Sequence, residues 1–274
     1  MKQKVNWGVT ALIAAGSIAI LFPLYMAISI ALKTPKELAD SVFAFPVGMH
    51  FENFVRAVKA TNFFNALKNS AIITVFTVVL TILTNSMVAY AIGRHMDKNK
   101  FFKGLYYYFV SALFIPFPII MLPLVKQTSK LGMNNPGGLI FLYVVYGIAF
   151  NIFVYVGYIR SIPRSLEEAA FIDGCNSWTT FWKIIFPLMA PINATVAILT
   201  SLWAWNDFML PLIILNDQSD MTLPLVQYVF QSKFGTDYNL AFSSYLMALT
   251  PMVIVYLIAQ KWIINGVTQG AVKS

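Results

Sequence analysis

Ser165-Leu-Glu-Glu-Ala-Ala-Phe-Ile-Asp-Gly-Cys-Asn-Ser-Trp-Thr-Thr-Phe-Trp-Lys-Ile-Ile-Phe-Pro-Leu-Met-Ala-Pro191 is a charged, helix-patterned island between two long apolar runs. Pro163 ends whatever precedes it, and Ser165 with Glu168 three residues later has the spacing of a capping box. A short helix is expected from Leu166 to about Asp173, stopped by Gly174. Ala169 and Ala170 are small enough to let that helix lie close to another backbone. Ser177 stands where it can cap a second turn carrying Trp178, Phe181 and Trp182, which leads to Pro187. Two short helices at an angle, with aromatics at their base, read as a knob facing a soluble partner. They read equally as an amphipathic surface helix with no partner.

The chain around this island is written for lipid. Of its 274 residues, 58% are hydrophobic and 11% charged, with a mean hydropathy of +0.70. Soluble domains carry about a quarter charged residues. Six apolar runs stand out, at roughly 6–32, 69–93, 104–126, 138–160, 184–215 and 242–264. Each can hold the roughly 20 residues that cross a bilayer. Helices are expected, because every backbone group in lipid must be satisfied within its own segment, and Ile72–Ala91 lacks the alternation of a barrel strand. The fold class read from these runs is an all-α membrane protein with six transmembrane helices, a single transmembrane domain over 1–274, and a loop at 161–183 between spans four and five. The fifth run carries Pro187, Pro191 and Pro211 and is expected to start as an interfacial segment and to kink. Lys2 and Lys4 before an apolar run could pass for a signal peptide, but the run is too long and lacks a small-residue cleavage site, so it reads as a retained first span.

Orientation follows from basic residues. Arg94, Lys98, Lys100 and Lys103 cluster between the second and third runs, which puts that loop, both termini and the 161–183 loop in the cytoplasm. The net charge of +8 then needs no nucleic acid to explain it. On the other side, residues 33–68 mix charge with Phe43, Phe45, Phe51, Phe54, Phe63 and Phe64, as an amphipathic segment lying on the membrane would. Residues 216–241, with Asp217, Asp220 and Asp237, could reach toward a soluble partner or be a plain solvated connector.

Several chemistries find no support. The lone Cys175 leaves no internal disulfide and no cysteine metal cluster. His50 and His95 have no ligand set at metal spacing and read as solvated; no metal site is expected. No Ser-His-Asp set or paired carboxylates mark a catalytic site. Asp207 is the one acid placed within a span, where such residues are functional candidates by default. It could centre an ion-coupled carrier, or simply pair with a backbone group or Asn206. Trp203 and Trp205 could stack on sugar faces or pack between helices. With Asn206 and Asp207 they form a candidate substrate pathway. A non-transporting membrane scaffold is the remaining alternative.

The opening stretch resembles the Glu-Ala-Ala signature loop of permease subunits in binding-protein-dependent ABC importers. Glu168, Ala169, Ala170, Gly174, Ile184 and Pro187 stand at the spacings of that signature, and Phe186 replaces its usual leucine. Further stretches are similar to the maltose-type, MalG-like carbohydrate permeases: Asn69-Ser70, Ala89-Tyr90-Ala91, Trp205-Asn206-Asp207-Phe208 and the run Asn265–Lys273. The resemblance implies the type I importer permease architecture, a cytoplasmic coupling helix with Glu168 at its docking surface, and sugar as cargo. It implies as partners a second permease subunit in a heterodimer, a cytoplasmic ABC ATPase dimer that the C-terminal tail also touches, and an extracytoplasmic sugar-binding protein. It implies the bacterial plasma membrane as location. The chain has no Gly-x-x-x-x-Gly-Lys-Ser/Thr loop, so ATP and Mg would be used by the partner ATPase, with no cofactor bound here and no enzyme activity of its own.

Overall fold

The structure, a computed structural model, describes residues 6–232 and 235–271. In chain order the helices are α1 (Trp7–Ala31), α2 (Pro35–Asp40), α3 (Glu52–Ala60), α4 (Phe63–His95), α5 (Lys100–Ser111), α6 (Phe117–Lys130) and α7 (Pro136–Ile159). There follow α8 (Ser165–Ile172), α9 (Ser177–Thr180), α10 (Phe186–Leu188), α11 (Ala190–Asn206), α12 (Met209–Ile214), α13 (Leu223–Val226) and α14 (Tyr238–Ala271). A two-residue hairpin, β1 (Gln231–Ser232) against β2 (Gly235–Thr236), is the one sheet among the described residues.

Among those residues α1, α4, α7 and Tyr238–Ile258 of α14 are each long and apolar enough to cross a membrane. Two bent helix pairs raise the number to six if each is one span. The expected third span at 104–126 is the first of these. α5 runs through a 3₁₀ turn, Ala112–Phe114, and meets α6 at 105°. Pro116 supplies the reason: it drives Ile115 into extended backbone and cannot continue the helix. The fifth, expected at 184–215, starts earlier. α9 passes through a π-helical segment, Phe181–Ile185, into α10, and α11 then leaves at 75°. Asp207, in extended backbone, ends α11 before α12 restarts the chain. The kink expected of this run is present.

The chain divides into two compact units, Met1–Ala66 with Val226–Met252, and Leu67–Leu225 with Val253–Ser274. In the first, the last carbonyls of α1 are capped by side chains. Asn53 Nδ2 donates to the oxygens of Ala31 and Lys33, and Asn239 Nδ2 to those of Ile30 and Lys33. Ala57, Phe230, Leu240 and Ala241 pack as its core. Within the amphipathic segment expected at 33–68, the stretch 41–50 carrying Phe43 and Phe45 is not helical, and α2, α3 and the start of α4 are the helical parts. His50 is not simply solvated, since its Nδ1 lies 3.1 Å from Glu52 and its Nε2 lies 3.6 Å from Glu37.

In the second unit α4 and α7 run in the same direction. Ile73 clusters with Leu139, Leu142 and Tyr143, and Ala89 and Ile92 with Ile152, Tyr155, Val156 and Ile159. Gly93 permits the close approach: a Cβ there would meet the Ile159 side chain at 3.3 Å. α11 returns antiparallel along α7. Tyr143, Tyr155 and Tyr158 donate in turn to Asp207, Asn193 and the carbonyl of Leu188. Near the start of α4, Asn69 Nδ2 donates to the Ser219 and Met221 carbonyls, and Ser70 Oγ accepts from the Leu223 amide. This part of the 216–241 loop is therefore tied down rather than free.

Candidate functional site

α8 is entered differently from the expected capping box. Arg164 is already in αR backbone and no side chain caps the helix, so Ser165 is its first residue and cannot act as N-cap. The carbonyl of Arg164 takes the amides of Glu167 and Glu168 instead. The C-terminal end follows the expectation. Gly174 has φ +80°, its amide bonds to Phe171 O, and the Cys175 amide bonds to Ala170 O at 2.9 Å. That pair of bonds is a Schellman closure, which wants glycine at this position. A Cβ added there would meet nothing within 4 Å, so backbone conformation rather than space selects the residue. The next turn is capped by Asn176, whose Oδ1 accepts from the Thr179 amide, and not by Ser177.

Two adjacent glutamates have opposite fates. Glu168 and Ala169 are exposed, while Ala170 is packed inward. Glu167 is buried and receives Arg94 Nε at 2.7 Å. The rest of the Arg94 fork is used as well. Nη1 donates to Ile159 O at 2.9 Å and Nη2 to Ile162 O at 3.1 Å. One planar guanidinium thus joins the end of α4, the end of α7 and the first turn of α8. Its positive charge also sits where the dipoles of α4 and α7 favour it, and Glu167 where the dipole of α8 does. Arg160 and Arg164 add more exposed pairs to Asp97. Neither Arg94 nor Glu167 was singled out by motif; the cluster of basic residues and the doubled Glu were the available signals.

Outward, α8 and α9 present Leu166, Phe171, Ile172 and Trp178, with Ile172 86% exposed. An apolar patch on a protruding helix is the mark of an interaction surface. At its base Trp182 packs edge-on or tilted against Trp178, Phe181 and Phe186 at 4.8–5.8 Å, and Tyr90 of α4 joins at Phe181. Ile184 packs on the same core, and Pro187, exposed, lies in the first turn of α10. The six motif residues are thus spread over one elbow, from α8 through the π-helical segment to α10. Residues 272–274 of the C-terminal tail lie outside the described residues.

The second candidate group separates. Trp203 packs edge-on against Tyr143 at 5.0 Å, and Tyr143 donates to Asp207 Oδ2 at 3.0 Å. The other oxygen of Asp207 accepts the Met209 amide, so this carboxylate is held by a tyrosine and a helix N-terminus. Asn206 bonds back to Leu202 O rather than to Asp207, and Trp205 is buried. A cleft of about 270 Å³ opens between α7 and α11, lined by Tyr146, Gly147, Phe150, Asn151, Leu199, Thr200 and Trp203. Of the four pathway residues only Trp203 lines it. Asn151 is 3% exposed, and its Nδ2 finds no acceptor among the described residues.

Comparison with known proteins agrees with this geometry. Residues 85–269 match the family of binding-protein-dependent transport system inner membrane components. The chain is 43% identical, over 99% of both chains, to the multiple sugar-binding transport system permease protein MsmG of Streptococcus mutans serotype c. It is 34% identical to the melibiose/raffinose/stachyose import permease protein MelC of Bacillus subtilis, covering 97% of this chain and 96% of that one. The fold matches a chain in the crystal structure of a bacterial ABC transporter for alginate import, with a TM-score of 0.80 and 22% identity over 95% of this chain and 99% of that chain. With a family match over residues 85–269, which include α7, α8 and α11, the chain belongs to the binding-protein-dependent transport system inner membrane components.

Proposed function

We propose that this chain is one of two permease subunits of an ATP-driven ABC importer whose cargo is a mono- or oligosaccharide handed over by an extracytoplasmic binding protein. The observation that carries the cargo is the near-complete alignment to permeases named for sugars, with 43% identity to the streptococcal one. In this reading the chain crosses the membrane six times, each bent pair counting as one span, with both termini and α8 in the cytoplasm. α8 docks on a separate ATPase, which uses ATP and Mg, and Glu168 supplies the charge at that contact. The exposed Leu166, Phe171, Ile172 and Trp178 supply the apolar surface.

Closure of the ATPase dimer pulls α8. Because Arg94 fastens α8 to α4 and α7, the pull reaches the spans as a rigid-body motion, and the two permease halves alternate between inward and outward access. The elbow from α9 to α11, with its aromatic stack, carries the same motion to α11. The α7–α11 cleft is this subunit's share of the sugar path. Trp203 offers a flat apolar face to pyranose C–H groups, and Asn151 and Thr200 offer polar contacts to hydroxyls.

Proteoliposomes holding this chain, its partner permease and the ATPase test the reading. Sugar uptake should require ATP and binding protein, and Glu168→Lys should abolish both uptake and co-purification of the ATPase. Uptake driven by a proton or sodium gradient without ATP, or full coupling in the Glu168→Lys complex, would refute it.

A further inference from the structure

Beyond α1 the chain makes a loop whose backbone is satisfied in an unusual way. Tyr25, Ser29 and Lys33 lie four residues apart, along one face of α1 and just past its end. Tyr25 Oη donates to Phe43 O at 3.1 Å, and Ser29 Oγ to Ala44 O at 3.3 Å. Lys33 Nζ donates to the oxygens of Ser41 and Val42, both at 3.0 Å. Four consecutive carbonyls of a non-helical segment are thus taken by side chains of the adjacent helix. The loop is closed above by the His50 amide on Leu32 O, and Glu37 holds the Val47 amide at 2.8 Å.

Two aromatic side chains of the same segment are open to the outside. Phe43 is 68% and Phe45 78% exposed. Their rings lie against α1, Phe43 stacked on Phe22 at 6.3 Å and Phe45 edge-on to Tyr25 at 5.3 Å. Phe22 is nine residues before the end of α1, about 13 Å down its axis, and Tyr25 about 9 Å. α1 is about 37 Å long against a hydrocarbon thickness of about 30 Å. Centred in the bilayer, it brings Phe22 about 10 Å and Tyr25 about 5 Å below the hydrocarbon edge. None of the most apolar stretch of α1 is buried among the described residues, so Phe43 and Phe45 continue a surface already built for lipid.

We infer that residues 41–45 dip into the bilayer leaflet at the C-terminal end of α1, with Phe43 and Phe45 among the acyl chains and their carbonyls satisfied by the Tyr25–Ser29–Lys33 face. Irregular backbone survives at that depth only when its polar groups find partners, and here α1 provides them. In water neither half of the arrangement has a use: the carbonyls would be hydrated without the side chains, and two phenylalanines would stand open. Lys36, Glu37 and Asp40 of α2 stay at the polar level above, so the segment goes in as a shallow loop rather than as a helix lying on the surface.

The test uses the assembled importer in liposomes, with Cys175→Ser and a single bimane-labelled cysteine introduced by Asp40→Cys, Phe43→Cys or Phe45→Cys. Lipids bearing a nitroxide on the acyl chain should quench bimane at positions 43 and 45 several-fold more than at 40, with position 43 the deepest, and aqueous iodide should show the reverse order. Equal iodide quenching at 40 and 43 would overturn the inference, because the segment would then be in water. Protection of position 43 from both quenchers would also overturn it, because a protein partner rather than lipid would be covering the rings. In the Tyr25→Phe/Ser29→Ala background, iodide access at position 43 should rise several-fold. No change there would refute the role given to the α1 face.

Discussion

Arg94 and Lys33 are both cations buried at the end of a helix long enough to cross a membrane, and they are neutralised in different ways. Arg94 meets a carboxylate and two carbonyls in three separate elements. Lys33, 1% exposed, meets two carbonyls among the described residues, both in the segment that follows it. A planar fork with fixed donor directions suits the first task, since it sets the angles between the helices it joins. A single ammonium on a flexible stem suits the second, because it holds a loop in place without dictating how three helices meet. Under the proposed function the stiff joint lies where motion is transmitted, and the looser clasp where a loop has only to be kept down.

That contrast can be broken at each end. Arg94→Ala should have the largest effect, because stranding one partner of a buried pair costs about 3–5 kcal/mol. The expected result is a large fall in thermal midpoint of the purified complex and loss of ATPase co-purification, with Arg94→Lys recovering part of the stability and little of the coupling. Glu167→Gln should cost less, about 1–3 kcal/mol. It keeps the shape and an acceptor but leaves Arg94 with neutral partners only, as Lys33 already is. Stability should drop modestly while stimulated ATP hydrolysis drops more, read from the midpoint and the coupling ratio in one preparation.

Lys33→Met leaves the Ser41 and Val42 carbonyls without their donor, at about 1–3 kcal/mol if the segment is dry and near zero if it is wet. The expected destabilisation, seen without loss of ATPase coupling, would set the clasp apart from the joint. The smallest effect concerns Glu37. Its hydrogen bonds to the Thr34 backbone first, then to Val47, hold its carboxyl down from 4.5 to about 2. A group depressed in the folded state contributes stability that is complete above its unfolded value and lost as pH falls through its folded one. Protease access to the 41–50 loop should therefore be flat from pH 7 to about 5 and rise only between about 4.5 and 2.

The elbow from α8 to α10 was largely legible in advance. A short helix ending at Gly174 follows from local pattern, and the spacing from Glu168 to Pro187 needs no tertiary information. The capping detail failed because Arg164 is already helical, which puts Ser165 inside α8, and because Asn176 takes the cap expected of Ser177. The α5–α6 break was also foreshadowed by Pro116 and Pro118, although hydropathy alone reads the two helices as one straight run.

Length, hydropathy, proline placement and the glutamate–alanine–glycine spacing determined by themselves that this is a helical membrane chain with a short helix between two of its apolar runs. They are properties of neighbours along the chain, and neighbours are what a helix period and a span length depend on. Which of two adjacent glutamates is buried was decided only in three dimensions, because Arg94 lies 73 residues away from Glu167. The same holds for Asp207, whose charge was conspicuous in the sequence but whose partner, Tyr143, arrives from another helix. It holds for Phe43 and Phe45 as well, since apolar residues in a loop acquire a meaning only from the helix against which their backbone is held.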